Sequence, residues 1–251
     1  MVLPTLSLSY GVNPVTEPSH GLSIPEVEPT TWQVSTAMGA VANNMTNKNH
    51  WYDGQFYDHF IAPHQDAAFA RLRRMIPAGS TVLDVGCGTG RLAVQLTDRC
   101  ESIDAIDLST RNINVARRTL QKGAKGNIRF HHVDVLQFLE EDRRQFDIAT
   151  MSYVIHEIEE SQRTRILQAL SVSARSIILV DYLVPQPPGF GKWLNTAVEF
   201  AAGIDHHRNF RSFVKANGLR GLAERAGLEA LAEQKDDPPS THILQLARPS
   251  A

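Results

Sequence analysis

Residues 82–90 read Val82-Leu83-Asp84-Val85-Gly86-Cys87-Gly88-Thr89-Gly90, an apolar run with an acid near its end and then three glycines spaced by two. Such a run suits a parallel strand buried on both faces, and Arg91 opens an amphipathic helix directly after it. Where a strand breaks into glycines ahead of a helix, no Cβ stands between the backbone and a ligand. Main-chain N–H groups and the helix N-terminus can then reach that ligand. The pattern predicts a nucleoside-containing cofactor. No G-x-x-x-x-G-K-[ST] occurs in the chain, which excludes a P-loop.

The spacing selects among nucleoside cofactors. Dinucleotide folds use G-x-G-x-x-G, with the last glycine one turn into the helix, whereas this loop is G-x-G-x-G with Asp84 two residues ahead of it. A carboxylate there repels a pyrophosphate and attracts a cation. The methionine part of S-adenosylmethionine carries an ammonium group beside a sulfonium, so charge favours that cofactor over NAD.

Two further acids follow. Asp107 ends the run Ile103-Asp104-Ala105-Ile106 and stands 21 residues after Gly86. An acid about 20 residues past a glycine loop suits a ribose diol, accepting from both hydroxyls. Asp134 follows Ile128-Arg129-Phe130-His131-His132-Val133, where an adenine amino group could donate to it.

On these residues the chain resembles the class I S-adenosylmethionine-dependent methyltransferases. LDVGCGTG at 83–90, AIDLS at 105–109, HVDV at 132–135 and FDIATMSYVIHEI at 146–158 carry the likeness, which covers residues 70–182 well. The resemblance implies that Asp84, Gly86, Cys87 and Gly88 hold the methionine end of the cofactor. It gives Asp107 and Leu108 to the ribose and adenine, Asp134 and Val135 to the adenine edge, and Met151 with Ser152 to the far wall. It also implies seven strands in the order 3-2-1-4-5-7-6. Tyr57-Asp58 looks like the segment that closes on the cofactor's carboxylate in ubiquinone and menaquinone biosynthesis methyltransferases, with simple packing of Tyr57 on the sheet as the alternative.

The periodicity beyond the motifs agrees. Helices are expected at 65–75, 90–98, from an N-cap at Ser109 to 121, near 161–172, and over 213–226 with Gly227 closing it. Strands are expected at 81–86, 102–107, 128–133, 146–151 and 176–182, then at 228–233 and 241–247 about a turn at 236–240. Repeated βα units predict an α/β fold with a doubly wound, mostly parallel, Rossmann-like sheet. Residues 1–30 hold five prolines and read as an extended arm. Residues 31–251 read as one methyltransferase domain, with lid elements at 32–60 and 185–210. About thirty residues, 183–212, separate elements that a compact fold joins with a few, and an insertion beside the carboxyl ends of the strands is placed to shape an acceptor pocket.

Methyl transfer from a sulfonium needs alignment, a dry site and, for a protonated acceptor, a base. His207 and His206 in the insertion and His156 after the fourth strand are the candidate bases, because imidazole titrates near working pH. The plain alternatives are a histidine without catalytic duty at 156 and a loop hydrogen bond or packing against Arg208 at 207.

Composition bounds the rest. The chain has 251 residues, 42% hydrophobic and 21% charged, enough for one core with an appended cap. Its net charge of −2 gives no general pull toward nucleic acid. No apolar run reaches the ~18 residues of a membrane span. The first basic residue is Lys48 and there are two cysteines, so neither a signal peptide nor a disulfide framework is expected, and the expected location is cytoplasmic.

Other absences narrow the chemistry. Met151-Ser152-Tyr153-Val154 stands where amino-methylating DNA enzymes carry Asn/Asp-Pro-Pro-aromatic. No Asp/Asn/Glu cluster or His/Cys spacing suggests Mg²⁺ or zinc, so no metal is expected. The reading is an enzyme that methylates oxygen, nitrogen or carbon of a small, partly apolar molecule, metal-independent, with S-adenosylhomocysteine as product. A homodimer is the one assembly entertained. The alternative is a non-catalytic S-adenosylmethionine-binding scaffold or regulatory protein. Aminopropyl transfer is disfavoured because no second acidic cluster offers itself to a polyamine.

Overall fold

The computed structural model describes residues 62–121, 126–185 and 204–249. The 1–30 arm, the 32–60 stretch with Tyr57 and most of the 185–210 insertion lie outside the described residues. Within them, β1 (Thr81–Val85), β2 (Ser102–Asp107), β3 (Ile128–His132), β4 (Phe146–Ser152), β5 (Ala174–Tyr182), β6 (Glu229–Lys235) and β7 (Thr241–Ala247) form one sheet. Its order is β3-β2-β1-β4-β5-β7-β6. The first five strands run parallel, and β7 is antiparallel to both β5 and β6. Fold class and strand order are those expected.

Helices cover both faces, which is why the central strands bury apolar side chains on both faces rather than alternating. Along β5, Ile177 and Leu179 enter one core while Ile178 and Val180 enter the other. α1 (Ala62–Met75), α2 (Arg91–Leu96) and α3 (Thr110–Gln121) pack Leu72, Leu92, Leu96 and Ile113 on one face. α4 (Val135–Glu141), α5 (Glu160–Ser173), α6 (Ile204–Lys215) and α7 (Gly218–Ala226) pack Phe138, Leu167, Leu170, Phe213 and Leu222 on the other. Each such side chain contributes about 1.5–3 kcal/mol by leaving water. The parallel strands therefore all end on one edge, and the loops that follow β1, β2 and β4 meet there.

Two sequence expectations are corrected. The single helix over 213–226 is two helices: Asn217 and Gly218 take φ of +64° and +59°, which stops α6 and starts α7. Asn tolerates that left-handed conformation and Gly adopts it freely, so the Asn-Gly pair breaks a pattern that hydrophobic spacing alone carries through. α6 also begins nine residues before the expected start, inside the segment read as an insertion. A helix not anticipated, α4, follows β3 because the Asp134 side chain caps it, accepting from Leu136 N at 2.8 Å and Gln137 N at 3.3 Å.

Candidate functional site

The loop after β1 is shaped by what surrounds its glycines. Gly86 (φ +69°) lies against Val154, and a Cβ at Gly86 would stand 2.6 Å from Val154 Cγ2. A Cβ at Gly90 (φ +80°) would stand 2.7 Å from Phe130 Cζ. Around Gly88 (φ +55°) a Cβ would meet nothing within 4 Å. The outer two glycines are thus required by close packing, and the middle one borders open space. The loop is held by Gly86 N and Cys87 N donating to Ile106 O, and by Gly88 N donating to Asp107 Oδ2 at 2.8 Å.

Two carboxylates face this loop with little to neutralise them. Asp84 in β1 is 1% exposed; the Thr150 hydroxyl of β4 donates to its Oδ1 at 2.7 Å, and its buried Oδ2 has no hydrogen-bond partner among the described residues. Burial raises the Asp84 pKa from 3.8 to about 7, the Thr150 bond opposing and the nearby Asp107 adding to the rise. Asp107, the last residue of β2, is also pushed up by burial, while its bonds from Ser109 N (2.7 Å) and Gly88 N counter that. Burial and both acids push the Cys87 thiol well above its ordinary range, so it sits there as a thiol. A cation placed between Asp84 and Asp107 would relieve all of this.

The other residues expected at the site lie on or beside the same sheet edge. Leu108, just past β2, is 48% exposed, and its carbonyl lies 2.9 Å from His132 Nε2. Val135 is buried in the first turn of α4, and Asp134 Oδ1 is committed to capping that helix. Met151 is fully buried in the core beneath α5. The buried Oγ of Ser152 has no hydrogen-bond partner among the described residues. Tyr153 takes a positive φ of 55°, which turns the chain after β4 so that Val154 comes down on Gly86.

Beyond that turn sits a histidine cluster. His156 is 2% exposed, and its Nδ1 lies 2.8 Å from Asp181 Oδ1 near the end of β5. Its ring is surrounded by those of Tyr182, His206, Phe210 and Phe213 at centroid distances of 5.0, 5.6, 6.0 and 6.3 Å. His207, the next residue along α6, is half-buried. The fully buried Arg163 of α5 ties the loop to α6: its guanidinium donates to the carbonyls of Ile158 (2.9 Å), His156 (3.1 Å) and Asn209 (2.6 Å). Asn209 Nδ2 donates back to Glu157 O at 2.7 Å.

Thr150, Arg163, Asp181 and Asn209 were not singled out from sequence. Asp181 carries the same signature as Asp107, an acid closing the apolar run Ile177-Ile178-Leu179-Val180. Arg163 and Asn209 give no local signal, because what they bridge is distant in the chain.

Comparison with known proteins agrees with this geometry. Residues 82–175 match the family described as a methyltransferase domain. An uncharacterized methyltransferase of Mycobacterium tuberculosis is 33% identical over 119 residues, 46% of this chain and 58% of that protein. The ubiquinone biosynthesis O-methyltransferase of Xanthomonas axonopodis is 28% identical over 163 residues, 62% of this chain and 65% of that protein. The chain thus spans less than two thirds of these relatives. Among solved structures, the N-methyltransferase NodS from Bradyrhizobium japonicum superposes with a TM-score of 0.54 at 15% identity, over 77% of this chain and 99% of that one. Magnesium protoporphyrin IX methyltransferase from Synechocystis superposes with a TM-score of 0.56 at 19% identity, over 79% and 91%. Residues 82–175 thus match a methyltransferase domain, and they lie in a sheet whose strand order is the one expected from the resemblance to class I methyltransferases.

Proposed function

We propose that the protein is an enzyme that transfers the methyl group of S-adenosylmethionine to oxygen, nitrogen or carbon of a small, partly apolar molecule. The observation that carries this reading is Asp84, a buried carboxylate with one oxygen unpaired among the described residues, beside a loop whose middle glycine, Gly88, borders open space. The residues fit the cofactor. Asp84 faces a cation; Gly86, Cys87 and Gly88 line the methionine end; Asp107 already accepts from Ser109 N, Gly88 N and the Asn112 side chain, so of a carboxylate's roughly four lone-pair sites about one is left for a ribose hydroxyl. Leu108 offers an exposed apolar side chain and Val135 an apolar wall to the adenine, with Asp134 Oδ2 at its edge. Met151 and Ser152 close the far side, and Tyr57 is proposed to close over the carboxylate.

When bound, S-adenosylmethionine supplies an activated methyl carbon, whose bond to sulfur breaks as the bond to the acceptor forms, leaving S-adenosylhomocysteine. The protein's part is to align, dry and deprotonate. Asp181 holds His156 by Nδ1, which turns Nε2 away from β5 as the atom able to take the acceptor's proton, and His207 is the second candidate. No step requires a metal. Residues 32–60 and 185–210 are proposed as lid elements, and the acceptor as a small molecule rather than nucleic acid. No helix among the described residues is long and apolar enough to cross a membrane. A cytoplasmic homodimer is the proposed working form.

Incubation of the protein and S-adenosylmethionine with fractionated metabolite extracts tests catalysis. Release of S-adenosylhomocysteine that requires both protein and a particular fraction is the expected result. Tight cofactor binding with no turnover in any fraction would favour a non-catalytic scaffold instead.

A further inference from the structure

Three side chains that the methyl-transfer reading does not bring together meet where α6 crosses the loop after β4. His206 Nε2 lies 3.1 Å from Glu157 Oε1, and His156 Nε2 lies 3.9 Å from the same oxygen. One ligand atom from each of the three falls within 4.8 Å of the other two. In a tetrahedral site with bonds of about 2.0–2.2 Å, neighbouring ligand atoms stand roughly 3.3–3.5 Å apart. The trio therefore needs only small side-chain adjustments to close on one ion.

The surroundings have the features that such a site requires. Asp181 holds His156 through Nδ1, an orienting carboxylate of the kind that fixes the tautomer of metal-bound histidines and presents Nε2. The backbone that carries the three donors is set by hydrogen bonds that need no ion. Arg163 draws the carbonyls of His156 and Asn209 onto one guanidinium, and Asn209 donates to the carbonyl of Glu157. Asn209 lies one helical turn after His206, so the bonds that dock it also hold His206 over Glu157. His156 and His206 are 2% and 9% exposed, while the Glu157 side chain is 38% exposed and gives an ion its way in.

We propose that His156, Glu157 and His206 form a binding site for a divalent first-row metal ion, with zinc as the committed occupant. Two imidazoles and a carboxylate match zinc's preference for nitrogen and oxygen ligands, and a three-ligand set leaves a position open to solvent or a small molecule. The ion would staple α6 to the β4–α5 loop beside the cleft. The proposal stands apart from the methyl-transfer reading and places no step of it on the metal. The two uses compete for His156 Nε2, so with zinc bound His207 is the remaining candidate base.

The test uses the full chain, stripped with a chelator and titrated with Zn²⁺ in a calorimeter, alongside Glu157→Gln and His206→Gln. Glu157→Gln changes one partly exposed atom and keeps the test valid if the histidine variant folds poorly. The expected result is one equivalent of zinc, weakened about 100-fold or more in each variant, with matching circular dichroism. No saturable binding, or binding that survives both substitutions, would overturn the site. S-adenosylhomocysteine is titrated into the same samples: its binding without zinc binding removes only the metal site, and the reverse removes only the methyl-transfer reading.

Discussion

Thr150 donates its hydroxyl to Asp84 Oδ1 at 2.7 Å from the neighbouring strand, and Oδ2 of the same buried carboxylate is left without a partner among the described residues. A single neutral hydrogen bond does not offset the removal of a carboxylate from water, and the raised pKa of about 7 records the imbalance. The sheet thus holds a strained acid at the point where the glycine loop opens.

Asp84→Asn should stabilise the ligand-free protein while weakening its ligand affinity. The folded pKa lies above the ordinary 3.8, so the native state holds the Asp84 proton more tightly than the unfolded chain does. Stability falls as pH rises from about 4 to about 7, and the full penalty persists above that. The variant, neutral throughout, should gain roughly 2–4 kcal/mol at pH 8 and little at pH 4. Thermal melts at the two pH values check this; equal gains at both would contradict it.

The same titration predicts a pH dependence of binding. The ligand's ammonium group needs the ionised carboxylate, so affinity for S-adenosylhomocysteine should fall up to tenfold per unit as pH drops below about 7, and Asp84→Asn should flatten the curve. Calorimetry between pH 5.5 and 8, chosen to bracket that value, reads the slope.

Gly86→Ala and Gly88→Ala should separate packing from ligand approach. The first drives a methyl into Val154 at 2.6 Å in left-handed backbone, the second only meets the backbone preference. Gly88→Ala should cost about 1–2 kcal/mol and Gly86→Ala about 1–3 kcal/mol more. Both should weaken cofactor binding. Denaturant melts that rank the two in reverse would contradict the geometry.

His156→Gln and His207→Ala test the proton acceptor. For the base, kcat should fall by about 10²–10⁴-fold with the cofactor's affinity unchanged. In the metal-free protein the Asp181 contact leads us to expect the larger loss at His156. A loss confined to cofactor affinity in both variants would remove the histidines from proton transfer.

How far the sequence could be read follows from how local each signal was. LDVGCGTG and the acid closing β2 announce a strand, a turn and a ligand within a few residues of one another, and the strand order came with the family resemblance those motifs carry. Asp134 shows the limit of such reading. An acid after an apolar strand reads as a ligand contact, yet Asp134 is also the N-cap of α4, a role that the short helix after it does not announce by hydrophobic period. The Asn217-Gly218 break was legible but was outweighed by the hydrophobic period on either side. The histidine cluster was beyond reach, since His206 lies some fifty residues from His156 and only the crossing of α6 over the β4–α5 loop joins them.

The most direct measurement of the central claim is calorimetric titration of S-adenosylhomocysteine into the folded full chain and into Asp107→Ala. The account predicts one saturable site with a Kd on the order of micromolar, about −8 kcal/mol, in the first and its loss in the second. A silent titration of the folded chain, or binding untouched by removal of Asp107, would contradict it.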